Sequence, residues 1–277
     1  YNFMEYMKTR RDGTYEVDTV LPSGEVETSK VPCYAAFSLG SAEGKAALID
    51  FLSSQTQTLQ IKVIGVGVTE AGLANSQTQA MQELFLLLEY LRVHSLYSSD
   101  LSVIDMDNVP DNGDTIRSHM LDLCGPDHIE MRLYLQNHVL FCNTMVDRIT
   151  SQREGSDGLV PQCEPLPNKA LVILDPQQRL PPGFRTLAHL GVVVRSTQEQ
   201  LVADIALKLR VANATHTALA QCMALMGTLN TDVLANGGLL MDYLDCLFES
   251  QILPGSTFGA AETEAVYQDW RRRLTHP

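Results

Sequence analysis

The chain has 277 residues, 45% of them apolar, with 33 acidic against 20 basic side chains and a formal net charge of −13. That length and apolar content suffice for two packed cores, so two domains are expected. The acidic balance excludes a nucleic-acid binder, which needs clustered cations to displace counterions from phosphates. The short basic runs Lys8-Thr9-Arg10-Arg11 and Arg271-Arg272-Arg273 read as solvated surface. No stretch approaches the ~20 apolar residues of a membrane helix, and the start of the chain does not read as a signal peptide. Six cysteines stand apart with no C-x-x-C pair. They are expected to be reduced, mostly buried thiols of a cytoplasmic protein. No His/Cys spacing resembles a metal motif, and no metal is expected.

Taken in chain order, Thr14–Leu21 alternates and is β-branched, Pro22-Ser23-Gly24 signals a turn, and Glu25–Val31 resumes the alternation, which predicts a hairpin. Ala42–Ser53 reads as a helix. The apolar run Leu59–Val68 reads as a strand buried on both faces of a parallel sheet. Thr78–Ser95 is an amphipathic helix on Met81, Leu84, Leu87, Leu88 and Leu91. Leu101–Met106 follows as a strand, Asp114–Leu123 as a helix, and Leu171–Leu174 and Val192–Val194 as short strands. Ser151–Pro167, polar and rich in Gly and Pro, reads as a surface loop. Strands alternating with helices predict an α/β layer architecture with a largely parallel sheet.

Near Ser196 the pattern changes. Ser196-Thr197-Gln198-Glu199 resembles a capping box, and Gln198–Ala224, Asp232–Glu249 and Ala261–Leu274 are helical patterns. The expected division is an α/β domain over 1–195 and an all-helical domain over 196–277.

The stretch Lys208-Leu209-Arg210-Val211-Ala212-Asn213-Ala214-Thr215-His216 carries the most chemistry. A desolvated Lys can take a proton from an alcohol, an Asn amide can donate to the alkoxide that develops, and a His can orient a second hydroxyl. On an α-helix Lys208 and Asn213 lie about 140° apart, so by itself this is a trio that chance often places on one helix.

Followed by Thr217-Ala218-Leu219, the stretch resembles the K-L-R-x-x-N-x-x-H-[ST]-A-L signature of the mannitol dehydrogenase family, the long-chain polyol dehydrogenases that include fructuronate and tagaturonate reductases. Three further segments match in order. Val68-Thr69-Glu70-Ala71-Gly72 resembles the family's T-E-x-G segment. Asp107-Asn108-Val109-Pro110-Asp111-Asn112-Gly113 resembles its D-N-x-x-x-N-G turn, and Asn143-Thr144-Met145-Val146-Asp147-Arg148-Ile149 its N-[ST]-M-V-D-R-I segment. The resemblance implies a Rossmann-like α/β part followed by a helical domain similar to the C-terminal domain of 6-phosphogluconate dehydrogenase. It implies metal-independent hydride transfer between NAD or NADP and a polyol or sugar acid. Lys208 would be the general base, Asn108 and Asn213 the amide pair at the oxyanion, and His216 a substrate-hydroxyl contact. Asp147 would bind substrate or hold local structure, for example by pairing with Arg148. Thr69 and Glu70 would approach the cofactor together with Asn108, or merely form a strand-end turn.

The chain departs from the family in three ways. The Gly-rich G-x-G-x-F-H-R turn that cradles pyrophosphate is absent; the only G-x-G, Gly65-Val66-Gly67, lies in an apolar run and reads as strand packing. Arg273-Leu274-Thr275-His276-Pro277 resembles the family's R-F-x-N-P segment, beyond which family members continue. Ile205 stands where mannitol enzymes carry a Glu three residues before the Lys, and the adjacent Asp204 is expected to point elsewhere. These departures predict a portion of a longer enzyme that binds cofactor weakly by itself; the alternative is a non-catalytic binding or scaffolding homologue that has lost the cofactor.

Overall fold

The structure is a computed structural model that describes residues 5–274 except 8–9, 11, 22, 55–59, 127, 157–158, 166–168, 230 and 235–236. Three residues of the Lys8–Arg11 run, the turn residue Pro22, Leu59 and the end Thr275-His276-Pro277 therefore lie outside the described residues.

Strands β1 (Thr14–Val20) and β2 (Val26–Pro32) pair antiparallel in the register Thr14↔Pro32 to Val20↔Val26, as the alternation predicts. The Gly- and Pro-rich 151–167 stretch is not loop alone. It contains β7 (Thr150–Gln152) and β8 (Pro161–Cys163), and β8 runs parallel to β1. Arg153 tightens that join, donating to both Asp18 carboxylate oxygens at 2.6 and 2.8 Å and to Glu16 at 2.8 Å. Three-residue strands carry too little periodicity to be seen in sequence; the pairing partner defines them.

Helix α1 (Ala42–Ser54) leads to β3 (Ile61–Val66), α2 (Gln79–Val93), β4 (Tyr97–Asp105), α3 (Asn112–Leu123), α4 (Ile129–Asn137) and β5 (Val139–Cys142). Strands β3, β4 and β5 form an all-parallel sheet in that order, the Rossmann-like arrangement expected. The helices bury Met81, Leu88, Leu91, Ile116 and Met120 against Leu101 and Val103 of β4. One expectation fails here: β3 is not buried on both faces. It is an edge strand, Lys62, Val63 and Gly65 are exposed, and an apolar run does not specify its place in a sheet. Nor does packing require Gly65-Val66-Gly67: a Cβ at Gly65 would meet only Met106 Cγ at 3.8 Å, an ordinary contact, and one at Gly67 would meet nothing within 4 Å.

Gly113 is different. A Cβ there would fall 2.3 Å from the Cys142 carbonyl carbon, 2.5 Å from its oxygen and 2.6 Å from Asn143 N, because the start of α3 lies directly on the end of β5. Backbone cannot yield as a side chain can, so Gly113→Ala is expected to cost about 3 kcal/mol, the upper end of overpacking. Urea unfolding checks this; a loss under about 1 kcal/mol would mean that α3 is free to shift.

Past β5 the chain enters a second sheet, where β9 (Leu171–Leu174) pairs antiparallel with β6 (Thr144–Val146) and parallel with β10 (Val192–Arg195). Leu174 N–H donates to Asn143 O at 2.9 Å and links the two sheets. A 3-10 segment, Pro182–Leu190, connects β9 to β10.

The predicted helix Gln198–Ala224 is three consecutive pieces: α5 (Gln198–Leu207), a π-helical turn (Lys208–Asn213) and α6 (Ala214–Met226). Its cap is Thr197, whose hydroxyl accepts from Gln200 N–H, while Gln200 Oε1 accepts from Ser196 N–H at 3.0 Å. The Asp232–Glu249 pattern resolves into a 3-10 turn at Thr231–Leu234, α7 (Leu239–Leu247) and a second π-turn from Phe248. Helix α8 (Ala260–Leu274) follows. Tyr267 and Trp270 of α8 pack with Val211, Leu219, Leu244 and Phe248 in a separate core. No described helix is long and apolar enough to cross a membrane. All six cysteines are unpaired, and no metal-binding cluster occurs among the described residues.

Candidate active site at the end of the parallel sheet

The turn after β4 organises one side of the site. Asp107 Oδ1 accepts from Asn108 N–H at 2.7 Å and shapes the turn. Asn108 Oδ1 accepts from Val146 N–H at 3.0 Å. With its carbonyl held, the amide must turn its N–H2 away from Val146, and no acceptor for it is found among the described residues. Asn112 is buried and fully used: Nδ2 donates to Asp107 O and Thr144 Oγ1, and Oδ1 accepts from Gly113 N–H and Thr144 N–H. The second Asn of the motif thus bolts the start of α3 to β6, and Gly113 lets the helix come close enough.

Asp105, the last residue of β4, is buried, and neither carboxylate oxygen has a hydrogen-bond partner among the described residues. Burial pushes its carboxyl up to about 6. The folded state therefore holds this proton more tightly than the unfolded chain does. The group's contribution is most favourable at low pH and is lost as the pH rises through about 6. Asp105→Asn is expected to stabilise the fold at neutral pH by about 2 kcal/mol and to flatten the dependence of stability on pH between about 4 and 6. Urea titrations at both ends of that window test it; an unchanged slope would rule it out.

Lys208 comes from the opposite side, on the π-turn. Its Nζ donates to Val146 O at 2.6 Å, so Lys208 and Asn108 hold the carbonyl and the N–H of one residue. The i→i+5 bonding, seen as Ala214 N–H to Leu209 O, widens the helix. It brings residues five apart, such as Lys208 and Asn213, closer to one face than the α-helical estimate allows. Burial pushes the Lys208 amine down from the usual lysine range, opposed by Asp147 and helped by Arg273.

Lys208 opens into a cavity of about 240 Å3 walled by Met145, Asp147, Leu207, Ala212, Val266 and Trp270. Lys169, Asp204 and Arg273 also line it. Asp147 is paired not with Arg148 but with Arg273, which donates to its two oxygens at 2.9 and 3.1 Å; Arg148 donates instead to Glu164 O. Asp204 corrects another expectation. Standing four residues before Lys208, it shares that helix face and lines the same cavity, held by Lys169 at 2.5 Å and by Arg195 at 2.6 and 3.0 Å.

Asn213 and His216 are exposed, and their side chains make no hydrogen bond among the described residues. They share the helix with Lys208 but do not line its cavity. Thr69 and Glu70 are exposed in the turn after β3, where their carbonyls accept the Gly72 and Leu73 N–H groups. Sequence reasoning missed the roles of Arg273, Glu164 and Lys169: no local pattern marks the latter two, and the R-F-x-N-P resemblance marks Arg273 without its partners.

A search of curated proteins returned no match. Among solved structures, a D-sorbitol dehydrogenase in substrate-free form superposes over 99% of this chain and 60% of that one, at 19% identity and TM-score 0.72. The Pseudomonas fluorescens mannitol 2-dehydrogenase, in a ternary complex with NAD and D-mannitol, superposes over 99% and 59% at 19% identity and TM-score 0.71. At such identity the likeness shows the fold, and the chain spans about 60% of the length of these structures. Residues 16–175, more than half of the chain, match the family model for the mannitol dehydrogenase Rossmann domain. With its parallel β3–β4–β5 sheet and its D-N-x-x-x-N-G turn packed as described, the chain belongs to the mannitol dehydrogenase family.

Proposed function

We propose that the chain is the acid–base half of an NAD(P)-dependent oxidoreductase that moves hydride between a nicotinamide cofactor and a polyol or sugar acid, in a cytoplasmic setting. The single observation that carries this reading is the half-buried Lys208 amine, lowered in pKa and poised at the carboxyl end of the sheet. In the oxidative direction, neutral Lys208 Nζ takes the hydroxyl proton. The Asn108 N–H2 and the Asn213 amide donate to the developing alkoxide. His216 and Asp147 contact further hydroxyls. A bound nicotinamide supplies the acceptor for the hydride that leaves the substrate carbon. Thr69, Glu70 and Asn108, at the carboxyl ends of β3 and β4, stand where open α/β sheets take such ligands. These residues suit the nicotinamide end. The 277 residues contain no Gly-rich turn for the pyrophosphate, so this chain alone is expected to bind NADH weakly; a tight stoichiometric titration would contradict that.

No metal takes part in the proposed scheme, since Lys208 and the Asn pair meet its acid–base needs. We assign residues 1–195 to the Rossmann-like domain and 196–277 to a helical substrate domain of the 6-phosphogluconate dehydrogenase type. The missing Gly-rich turn favours one alternative, a non-catalytic scaffold. NADH oxidation with fructose, fructuronate or tagaturonate, at NADH concentrations high enough to overcome weak binding, separates the two: turnover lost in Lys208→Ala supports the enzyme, and no turnover with any of them supports the scaffold.

A further inference from the structure

Arg273 is the most heavily engaged side chain near the site. It is 9% exposed and lies in the last turn of α8. It hydrogen-bonds two carboxylates at once, both Asp147 oxygens at 2.9 and 3.1 Å and both Glu164 oxygens at 2.7 and 3.0 Å, and pairs more loosely with Asp269 at 3.7 Å. Glu164 is itself buried and accepts Ile149 N–H at 2.8 Å. Asp147 and Ile149 belong to the segment that follows Val146, whose carbonyl receives Lys208 and whose N–H goes to Asn108. Thus the stretch from Val146, the last residue of β6, to Ile149 is held by Asn108, Lys208, Arg273 and Glu164, and the proposed base rests on its first residue.

We propose that Arg273 is the positioning residue of the Lys208 site: by clamping Asp147 to Glu164 it fixes the 146–149 segment against which the Lys208 amine is set. A planar guanidinium suits this task because it can serve two carboxylates with parallel N–H pairs, which an ammonium cannot. The clamp also determines which charges face Lys208. From the turn after β4 comes Asp107, and from the segment after β6, Asp147. Helix α8 presents Arg273, with Asp269 and Glu262 at the cavity wall, while Asp204 of α5 is neutralised by Lys169 and Arg195. Among these, Asp147 favours the charged amine and Arg273 opposes it.

The proposal rests on Lys208 being the base, but its test needs no turnover. The pH dependence of acylation by trace acetic anhydride is read at Lys208 by peptide mass spectrometry, with exposed Lys62 as internal reference. Arg273→Gln combined with Glu164→Gln, which leaves no second unpaired buried carboxylate, is expected to shift the Lys208 midpoint to higher pH by about one unit. Asp147→Asn is expected to shift it to lower pH by a similar amount. Arg273→Lys keeps the charge without the fork, and should speed Lys208 acylation about threefold at fixed pH. That variant serves if the double replacement does not fold. Opposite shifts are not the signature of general loosening. Lys208 acylation unchanged in folded Arg273 variants would overturn the proposal. Opposite shifts in a protein without dehydrogenase activity would uphold the clamp and remove the function proposed above.

Discussion

Lys208→Met is expected to lower hydride transfer by about 10²–10⁴-fold, the usual contribution of a positioned general base, without lowering stability. Both halves follow from one fact. Burial disfavours the charged amine, so its pKa in the folded protein lies below the 10.5 of an ordinary lysine. The unfolded chain binds this proton more tightly, so at neutral pH the charged Lys208 opposes folding, and the penalty fades as the pH rises through the folded pKa. Methionine keeps the length and removes the charge, leaving only the Val146 carbonyl without its donor. For activity, the wild-type rate in the oxidative direction should rise with pH to a plateau below the ordinary lysine range, and that limb should vanish in Lys208→Met. Initial rates across pH, with thermal melts of the same samples, test both. An active Lys208→Met protein with an unchanged pH profile would remove Lys208 as the base.

The second large effect is expected at Asp204. Asp204→Ala should cost about 3–5 kcal/mol, because it strands two cations that share one buried carboxylate. Burial alone would raise the Asp204 pKa, but Arg195 and Lys169 bring it below the usual carboxylate range. Its stabilisation is therefore present above the unfolded value of 3.8 and is lost as the pH falls through the folded one. Lys169 also lines the Lys208 cavity, so freeing it should push the Lys208 titration further down. Urea unfolding at neutral and acidic pH checks the claim. A loss under about 1 kcal/mol would class the triad with surface pairs.

How much of this was legible in the sequence depended on the range of the interaction. Amphipathic spacing over Met81–Leu91 located α2, and the alternation around Ser23-Gly24 located the hairpin, because both signals are local. The apolar run at Ile61–Val66 marked a strand, yet its edge position depends on which neighbours pair with it. The four family segments pointed to the right turns, and only packing explains them: Asn112 because it satisfies four partners, Gly113 because β5 leaves no room for a Cβ. The spacing of five between Lys208 and Asn213 looked unfavourable on an α-helix, and the π-turn improves it. The R-F-x-N-P resemblance marked Arg273 but not its pairing with Asp147, 126 residues away, because a buried ion pair between distant segments leaves no periodicity.

Whether Lys208 serves hydride transfer is decided by following one isotope. The protein is incubated with NAD+ or NADP+, at concentrations high enough to overcome weak binding, and with polyols and sugar acids deuterated at the carbinol carbon, with a chelator present, and the reduced nucleotide is analysed by mass spectrometry. Deuterium in the reduced nucleotide from wild type, and none from Lys208→Met, is the predicted result. No labelled nucleotide from any polyol or sugar acid, or equal labelling by the two proteins, would contradict it.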